Sequence, residues 1–365
     1  MATPRFRSDE AALDAFYDDL SAQHLQPLWE LQGLLTPVPR VRARPYRWRA
    51  DDLAKLGRRA GDLVPVDRGG DRRVLAMSNP GLDGAPFISS TLWAAVQYLQ
   101  PHESAPPHRH TPAALRFVLD GEGVYTLVDG DPISMARGDL VLTPSWTFHE
   151  HHNPGDVPMM WLDVLDLPMV AALDAVFFEP GAAPEGGPDT GLGVGLDAGS
   201  KTDRGPVLRS AAERRWGAGA GLVPADTSGL PAHSPLLVYR RRDTDAALDA
   251  LLEVEDAADV TVRFRDPVRD RDVMPTMRCE MRRVLPGTTT RRERQTGTRV
   301  SAVLDGSGTV VLNGESFDLS PGDVFVVPSW CTQQLYARSR LDVFTTSDSP
   351  VLEALGLHRT ERVDV

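Results

Sequence analysis

The sequence predicts a mainly β protein that consists of two similar β-barrels preceded by a helical segment. Short runs of apolar and β-branched residues recur from about residue 72, and turns such as Asp120-Gly121 and Asp129-Gly130 separate them. Strands of this length and spacing are typical of an antiparallel sandwich or barrel. The second half of the chain then repeats the pattern of the first half, which indicates two copies of one unit.

Two short motifs carry the repeat. The motif Leu119-Asp-Gly-Glu-Gly123 matches Leu304-Asp-Gly-Ser-Gly308, which lies 185 residues further on. The run from Gly138 to Trp146 matches the run from Gly322 to Trp330, 184 residues further on. Because the offset drifts by one residue, the two copies differ by a hairpin length, and we interpret them as an internal duplication. The recurrence of Trp146 and Trp330 favours a packing role for both.

The remaining elements complete the predicted organisation. Residues 8–36 have a helical pattern that Pro37 ends, and residues 244–253 predict a second, short helix. Residues 180–199 contain ten glycines or prolines, which is typical of a linker. We therefore expect four regions: an N-terminal helical and extended segment (1–71), a first barrel (72–178), a connecting segment (179–243) and a second barrel (244–365).

Composition restricts the classes of function. The formal net charge of −12 argues against a nucleic-acid partner, which requires a basic surface. The two cysteines, Cys279 and Cys331, are too few for a disulfide framework or a cysteine-based zinc site, and they fit a reducing compartment. No apolar run reaches the roughly 18 residues of a membrane helix, and no signal-peptide pattern is visible at Met1–Arg7. The expectation is a cytoplasmic protein without a membrane partner.

A group of histidines is the main chemical signal. Six of the nine histidines lie within residues 102–152. His108 and His110 would point to the same side of a strand, because side chains alternate along it, and His149 lies at the start of a later strand. Three neutral imidazoles can bind iron, zinc, copper or nickel and leave positions for a chelating substrate and oxygen. The alternative is that these histidines are surface or core residues without a metal.

The repeat provides an internal comparison for this metal site. The positions that correspond to His108, His110 and His149 in the second barrel are occupied by Glu293, Gln295 and Gln333. Glutamine is a poor metal ligand. We therefore predict that the second barrel binds no metal and has a structural role, in packing, in subunit contacts or in closing the mouth of the site.

The run from His108 to Gly123 resembles the first cupin motif of gentisate 1,2-dioxygenases. The run from Gly138 to Gly155, continued by Trp161-Leu-Asp163, resembles their second motif. The wider group includes salicylate and 1-hydroxy-2-naphthoate dioxygenases. The resemblance implies a bicupin fold, a single Fe(II) on His108, His110 and His149, and a homotetramer. It also implies an extradiol-type reaction in which O₂ opens the ring of gentisate to give maleylpyruvate.

The resemblance further implies that Arg116, His151 and Asp163 line the substrate site. Arg116 has the strand parity of His110, so its guanidinium could hold the substrate carboxylate; the alternative is a surface arginine. His151 has the parity of His149 and could be an acid–base residue or a fourth ligand. Asp163 could orient an imidazole or could stabilise the fold.

Four more positions match the pocket of the family. Arg72 is either a second carboxylate contact or exposed, and Trp93 either forms a wall of the pocket or belongs to the core. Gln97 is a further pocket position. Ala95 stands where some relatives have glycine, so its methyl group is expected to narrow the pocket. The glutamate ligand common in cupins is absent, since alanines occupy positions 113 and 114.

Several functions remain open at this point. The first is the ring-cleaving dioxygenase of gentisate. Salicylate and 1-hydroxy-2-naphthoate are alternative substrates for the same chemistry. A different class, a cupin isomerase or a metal-binding module without oxygen chemistry, would use the same three imidazoles but would consume no O₂.

Overall fold

The structure is a computed structural model that describes residues 10–64, 73–181, 209–219 and 221–363. Within these ranges it contains few helices and many short strands, which confirms the mainly β fold. The helices are α1 (Glu10–Ala22), α2 (Ala50–Leu63), α3 (Leu167–Ala172), α4 (Ala211–Trp216), α5 (Arg241–Glu255) and α6 (Ser349–Ala354).

The strands fall into two series. The first series is β1 (Tyr46–Trp48), β2 (Val74–Ala76), β3 (Trp93–Leu99), β4 (Ser104–His110), β5 (Ala114–Asp120), β6 (Glu122–Val128), β7 (Asp131–Ala136), β8 (Leu140–Thr143), β9 (His149–His152), β10 (Met159–Leu165), β11 (Phe178–Pro180) and β12 (Val238–Tyr239). The second series is β13 (Asp259–Phe264), β14 (Arg278–Val284), β15 (Glu293–Gln295), β16 (Arg299–Asp305), β17 (Gly308–Leu312), β18 (Glu315–Leu319), β19 (Val324–Val327), β20 (Gln333–Ala337), β21 (Leu341–Ser347) and β22 (Thr360–Arg362).

Each barrel consists of one six-stranded and one five-stranded antiparallel sheet. The first barrel has the orders β12-β8-β5-β10-β3-β2 and β11-β4-β9-β6-β7. The second barrel has the orders β1-β19-β16-β21-β14-β13 and β18-β17-β20-β15-β22. Corresponding strands occupy corresponding places, so the duplication predicted from the two motifs is present in the topology.

The two halves exchange their first strands. The short strand β1 precedes the first barrel but pairs with β19 of the second barrel. In the same way, β12 precedes the second barrel but pairs with β8 of the first. Each exchanged strand therefore covers what would otherwise be an open edge of the other barrel's six-stranded sheet.

The repeated Gly-Asp pair fixes this exchange. A carboxylate oxygen of Asp139 accepts a hydrogen bond from the backbone N–H of Arg241 at 2.9 Å, and one of Asp323 accepts from Ala50 at 2.8 Å. Arg241 and Ala50 begin helices α5 and α2, so each aspartate binds an otherwise unpaired N–H at a helix start in the other half of the repeat. The preceding Gly138 has a φ of 86°, and a Cβ there would lie 2.7 Å from the Arg241 side chain, which explains the glycine.

Three apolar cores result from this arrangement. One lies inside the first barrel, around Trp161, and one lies inside the second, around Phe325. The largest lies between the two six-stranded sheets, where the rings of Phe117 and Phe344 stack with centroids 4.1 Å apart. Because these sheets bury both faces, their strands are apolar on one side towards their own barrel and on the other towards the partner barrel.

The described residues of the N-terminal segment up to Arg40 form a unit of their own. Its helix α1 ends at Ala22 rather than continuing to residue 36, so the predicted length of this helix was wrong. His24 adopts a left-handed conformation with a φ of 55°, and Pro27 follows, so the helical path cannot continue. Inside this unit, the Trp29 indole N–H donates to the Tyr17 hydroxyl at 3.1 Å.

The sequence pattern did not indicate α2, and it predicted a linker at residues 180–199. Helix α2 was not predicted, because Gly57 and Gly61 weaken its helical pattern; these glycines allow the helix to approach Tyr98 and Gln100 closely. Of the predicted linker 180–199, residues 182–199 lie outside the described residues. No helix in the described ranges is long and apolar enough to span a membrane.

The exchange predicts unequal effects of two matched substitutions. Asp323→Ala removes the cap of α2 and a partner of Arg47, which lies 3.5 Å away and is partly exposed, so the free energy of unfolding should fall by about 1 kcal/mol, as for other N-terminal caps. Asp139→Ala also removes a buried partner of Arg240, which lies 2.8 Å away, and should cost about 3 kcal/mol. Denaturant unfolding followed by circular dichroism measures both. Equal and negligible losses would contradict the assigned role of the Gly-Asp pair.

Candidate metal centre

Two neighbouring strands bring three imidazoles together. Strands β4 and β9 pair in antiparallel fashion with His108 opposite His149, and His110 follows on the same face of β4. The ring centroids of His108 and His110 lie 4.3 and 4.9 Å from that of His149. One nitrogen from each ring lies within 4.8 Å of the other two. In the described part of the chain, this is the one cluster of histidine, cysteine or acidic side chains with such a geometry.

Backbone carbonyl groups select the nitrogen that faces the centre. The Nδ1 atoms of His108, His110 and His149 lie 3.0, 2.7 and 3.1 Å from the carbonyl oxygens of residues 106, 112 and 147. A carbonyl can only accept, so each Nδ1 carries the proton of the neutral ring and each Nε2 keeps a lone pair. This is the tautomer that binds a metal through Nε2.

The burial of His149 supports the same interpretation. Its Nε2 atom is buried, and the described residues offer it no hydrogen-bond partner. Burial holds the pKa of His149 well below its usual range, and the neighbouring Arg116, His108 and His110 lower it further. A neutral imidazole with an unpaired inward lone pair is what a metal ligand requires, so these residues fit a metal ion held by three nitrogens.

A row of side chains crosses three strands beside this centre. Asp163 on β10 lies opposite Arg116 on β5 and opposite Ala95 on β3. The Asp163 carboxylate lies 3.2 Å from the Arg116 Nε as an ion pair, without the alignment of a hydrogen bond. The indole N–H of Trp161 donates to the other carboxylate oxygen at 3.1 Å. The guanidinium of Arg116 also donates to the Thr143 hydroxyl.

This pair of opposite charges lies in a low-dielectric environment. Burial lowers the pKa of Arg116, an effect that the charge of Asp163 opposes. Burial raises the pKa of Asp163 to about 6, against the lowering effects of Arg116 and Trp161. The carboxylate is therefore ionised at neutral pH and becomes protonated in mildly acidic solution. Asp163 was expected either to orient an imidazole or to stabilise the fold. In the structure it contacts Arg116 and Trp161, because the register of β5 and β10 places it beside the arginine.

His151 occupies the next inward position of β9. Its ring is 1% exposed and lies 6.1 Å from the ring of His149, centroid to centroid. Its Nδ1 forms a hydrogen bond with the hydroxyl of Thr126, not with a carbonyl. Burial holds the pKa of His151 well below its usual range, and Arg116 lowers it further, so the ring is neutral. His152 lies on the other face of the strand and stacks on Tyr125.

The structure places three of the four other predicted pocket residues on one face of β3. Trp93, Ala95 and Gln97 alternate along this strand and lie opposite Leu165, Asp163 and Trp161 of β10. They therefore project to the same side of the sheet as Arg116 and Asp163. Arg72 lies outside the described residues.

Several residues around the centre were not found by sequence reasoning. They are Thr126, Thr143 and Phe178, the last of which stacks on His108 with centroids 5.5 Å apart. Phe178 lies on β11, whose pairing with β4 no local pattern indicates. The two threonines do have a signal in the sequence, because the repeat places valine at the corresponding positions of the second barrel, Val310 and Val327.

One feature near the centre belongs to the fold and not to the chemistry. Arg109 lies between the two metal-ligand candidates of β4, and its guanidinium stacks over Trp146 at 4.4 Å from the ring centroid. The second barrel repeats this contact, with Arg294 at 4.8 Å from Trp330. Since the contact recurs where the three imidazoles are absent, it stabilises the loop of the barrel, in agreement with a packing role for both tryptophans.

The corresponding region of the second barrel has a different composition. Glu293 and Gln333 pair in register where His108 and His149 pair in the first barrel. The guanidinium of Arg299 approaches Glu293 at 3.4 Å. A cationic side chain and a carboxylate thus face each other where the first barrel has imidazoles.

Comparison with known proteins identifies a family and several relatives that share this architecture. The cupin domain family matches residues 95–165 and 281–344. A gentisate 1,2-dioxygenase of Streptomyces sp is 46% identical over 365 residues, covering 98% of this chain and 97% of that protein. A 5-aminosalicylate 1,2-dioxygenase of Comamonas sp is 34% identical, covering 99% and 92%. The crystal structure of a salicylate 1,2-dioxygenase from Pseudoaminobacter salicylatoxidans with gentisate adducts has a TM-score of 0.88 at 41% identity, covering 100% of this chain and 96% of that chain.

Two cupin barrels with three convergent imidazoles in the first define a bicupin enzyme with one candidate metal centre. The chain belongs to the family of gentisate and salicylate ring-cleaving 1,2-dioxygenases. This membership confirms the resemblance seen in the motifs. It argues against the alternative of a cupin isomerase or metal-binding module without oxygen chemistry.

Substitution of one ligand candidate should abolish metal binding. His110→Ala leaves two of three nitrogens, so the affinity for a divalent transition metal should fall by at least about 100-fold, more than is typical for the loss of an outer partner. His152→Ala is the matched control, because it removes an imidazole from the same region but from the opposite face of β9. Metal analysis after anaerobic reconstitution measures both. Full occupancy in His110→Ala would rule out this centre.

The raised pKa of Asp163 predicts a pH dependence. Above about pH 6 the carboxylate is ionised and pairs with Arg116, and below that pH it gains a proton and the ion pair is lost. The value of kcat/KM for ring cleavage of the aromatic acid should therefore fall as the pH decreases through about 6. In Asp163→Asn the value should be lower at neutral pH and this acid limb should be absent. Metal content is measured at each pH, and an unchanged limb in the variant would assign it to another group.

Proposed function

We propose that this enzyme is an Fe(II)-dependent gentisate 1,2-dioxygenase. It would open the ring between the carboxyl-bearing and the hydroxyl-bearing carbons and release maleylpyruvate. The observation that carries the proposal is the arrangement of three inward-facing Nε2 atoms beside the buried Arg116–Asp163 pair. The 46% identity to a gentisate 1,2-dioxygenase over nearly the whole chain supports the choice of gentisate within the family.

The assignment of iron rests on the donor set and on the class of reaction. Three imidazoles suit several transition metals, and the ring-cleaving chemistry of the family requires one that exchanges electrons with oxygen. A ferrous ion held by His108, His110 and His149 would supply that redox step, which no side chain of this site can supply. The protein's own contribution is to bind and orient the aromatic acid and to place protons.

Arg116 is proposed to bind the substrate carboxylate. Its guanidinium is buried and permanently charged, and its ion pair with Asp163 lacks hydrogen-bond alignment, so the group keeps donors for a second anion. Such a planar donor pair suits a carboxylate in bidentate geometry. Asp163, which accepts the indole N–H of Trp161, would attract the guanidinium to this side of the sheet.

His151 is proposed to act on an oxygen of the substrate. Its neutral imidazole lies beside the metal-ligand candidate His149, within the same buried region. A ring at this distance can donate or accept a proton as the ring opens.

The face of β3 would form the wall of the aromatic pocket. Trp93 and Gln97 flank Ala95, which is fully buried beside Asp163. The methyl group of Ala95 narrows this part of the pocket, which favours a single-ring acid over 1-hydroxy-2-naphthoate. Salicylate and 5-aminosalicylate have a single ring too, and relatives that act on such acids belong to the family, so they are the competing substrates.

We also propose a cytoplasmic homotetramer. Large apolar side chains are exposed after α3 and after α6, among them Phe177 at 61% and Leu355 at 66%. Within the N-terminal unit, Trp29 and Leu35 are exposed as well. Such surfaces typically become buried in contacts between subunits. Light scattering on the reconstituted enzyme tests this, and a particle with the 39.9 kDa mass of one chain would contradict it.

Substrate turnover tests the proposed function. The protein is reconstituted with ferrous ion without oxygen and then given gentisate, salicylate, 5-aminosalicylate or 1-hydroxy-2-naphthoate, with oxygen uptake and maleylpyruvate absorbance as readouts. Gentisate should have the highest kcat/KM, by about tenfold or more. The pocket wall disfavours 1-hydroxy-2-naphthoate, the 5-hydroxyl makes the ring of gentisate more electron-rich than that of salicylate, and the 46% identity to a gentisate 1,2-dioxygenase against 34% to a 5-aminosalicylate 1,2-dioxygenase favours gentisate over 5-aminosalicylate. A higher value for salicylate would replace gentisate as the substrate but keep the reaction class.

A further inference from the structure

The second barrel provides a comparison for each buried polar group of the first. Thr126 lies opposite His151, and the corresponding pair in the second barrel is Val310 opposite Leu335. Thr143 lies opposite Ala114, and Val327 lies opposite Arg299 in the second barrel. The strand register thus shows that valine replaces both threonines in the barrel that lacks the three imidazoles.

This comparison separates the needs of the fold from those of the site. Valine and threonine have the same branched shape, and both suit a strand, so the barrel accepts valine at these positions. Thr126 and Thr143 are both fully buried in the first barrel. Because a buried hydroxyl costs free energy unless it is hydrogen-bonded, packing alone favours valine. The two hydroxyls therefore serve their polar partners, which are His151 and Arg116.

The hydrogen bond from Thr126 determines which ring nitrogen of His151 carries the proton. In the part of the chain that the structure describes, the hydroxyl of Thr126 forms its hydrogen bond with the Nδ1 of His151 and with no other group. The hydroxyl can donate to Nδ1 or accept from it. Since the described residues offer the hydroxyl no other acceptor, donation to Nδ1 is the arrangement that satisfies the hydroxyl proton, and it leaves the ring hydrogen on Nε2. This is the opposite tautomer to that of His108, His110 and His149, whose Nδ1 atoms donate to carbonyls.

Thr143 restrains the guanidinium of Arg116. Arg116 has a long, flexible side chain, and its only aligned hydrogen bond among the described residues is the one that it donates to Thr143. The ion pair with Asp163 attracts the guanidinium but does not define its rotation, because the two groups are not aligned. The hydroxyl of Thr143 therefore fixes the plane in which the guanidinium faces the site.

We propose that Thr126 and Thr143 are positioning residues of the reaction. Thr126 keeps the hydrogen of His151 on Nε2, so that His151 donates a hydrogen bond to a substrate oxygen and does not become a fourth metal ligand. Thr143 orients Arg116 towards the substrate carboxylate. The proposal rests on the proposed function of the site and adds two residues that neither touch the substrate nor bind the metal.

The test uses the substitution that the second barrel itself contains. Thr126→Val should lower kcat for gentisate about 10-fold and leave KM within about twofold, because it acts through His151. Thr143→Val should raise KM and the anaerobic dissociation constant of gentisate about 10-fold and leave kcat within about twofold, because it acts through Arg116. The serine variants keep the hydroxyl and should restore most of each loss.

Thr345→Val is the matched control. Thr345 lies in the second barrel at the position that corresponds to Asp163. Its hydroxyl is hydrogen-bonded to the hydroxyl of Ser301 at 2.9 Å. This variant should leave kcat, KM and gentisate binding unchanged. Iron content, measured for every variant, should remain at the wild-type value, which shows that the metal site is intact.

The outcomes separate this proposal from the proposed function. Wild-type kinetics in both valine variants, or equal losses in valine and serine variants, would overturn the positioning roles while gentisate turnover by the wild type upholds the function. A wild-type enzyme that consumes no oxygen with any acid of the panel would overturn the function and the proposal together. A loss of iron in Thr126→Val or Thr143→Val would show a structural role and would also overturn the proposal.

Discussion

The position of a single proton on each imidazole of the cluster is the constraint on which the candidate site depends. Three rings face backbone carbonyls, which only accept, so their protons point outward and their lone pairs point towards one another. These carbonyls belong to residues two positions away along the chain from each histidine. The ligand geometry is therefore set by the backbone of β4, of the turn after β4 and of the turn before β9. It needs no carboxylate partner, in contrast to many metal sites in which an acidic side chain has this role.

The polar row beside the imidazoles is costly for the fold. Arg116 and Asp163 are both buried. Burial lowers the pKa of Arg116 and raises that of Asp163, so it disfavours the charged form of each side chain. The second barrel, with Ser301 and Thr345 at the same places, has no such charges there. The first barrel can maintain them because the apolar core between the sheets and the exchanged strands stabilise it from outside. The contacts between the two halves thus offset the free-energy cost of the buried charges in the candidate site.

The sequence predicted the parts of this structure that repeat or alternate. The two barrels, the three imidazoles and the inward direction of Arg116 follow from the motif offset and from strand parity. The partner of Asp163 did not follow, because it depends on the register between β5 and β10, which parity does not define. The exchange of β1 and β12 was not predictable either, since both strands are only two or three residues long. Helix α2 was missed because its glycines serve close packing and contradict helical propensity.

The exchanged strand β12 gives the metal-free half a direct role in the site. Strand β8 carries Thr143 and lies between β5, which carries Arg116, and β12. Without β12 it would be an edge strand, free to fray and to change its register. The chain enters α5 directly after β12, and Asp139 at the start of β8 binds the first N–H of that helix. The segment that leads into the second barrel therefore closes the sheet that holds the guanidinium, so the two halves of the repeat are coupled at the site.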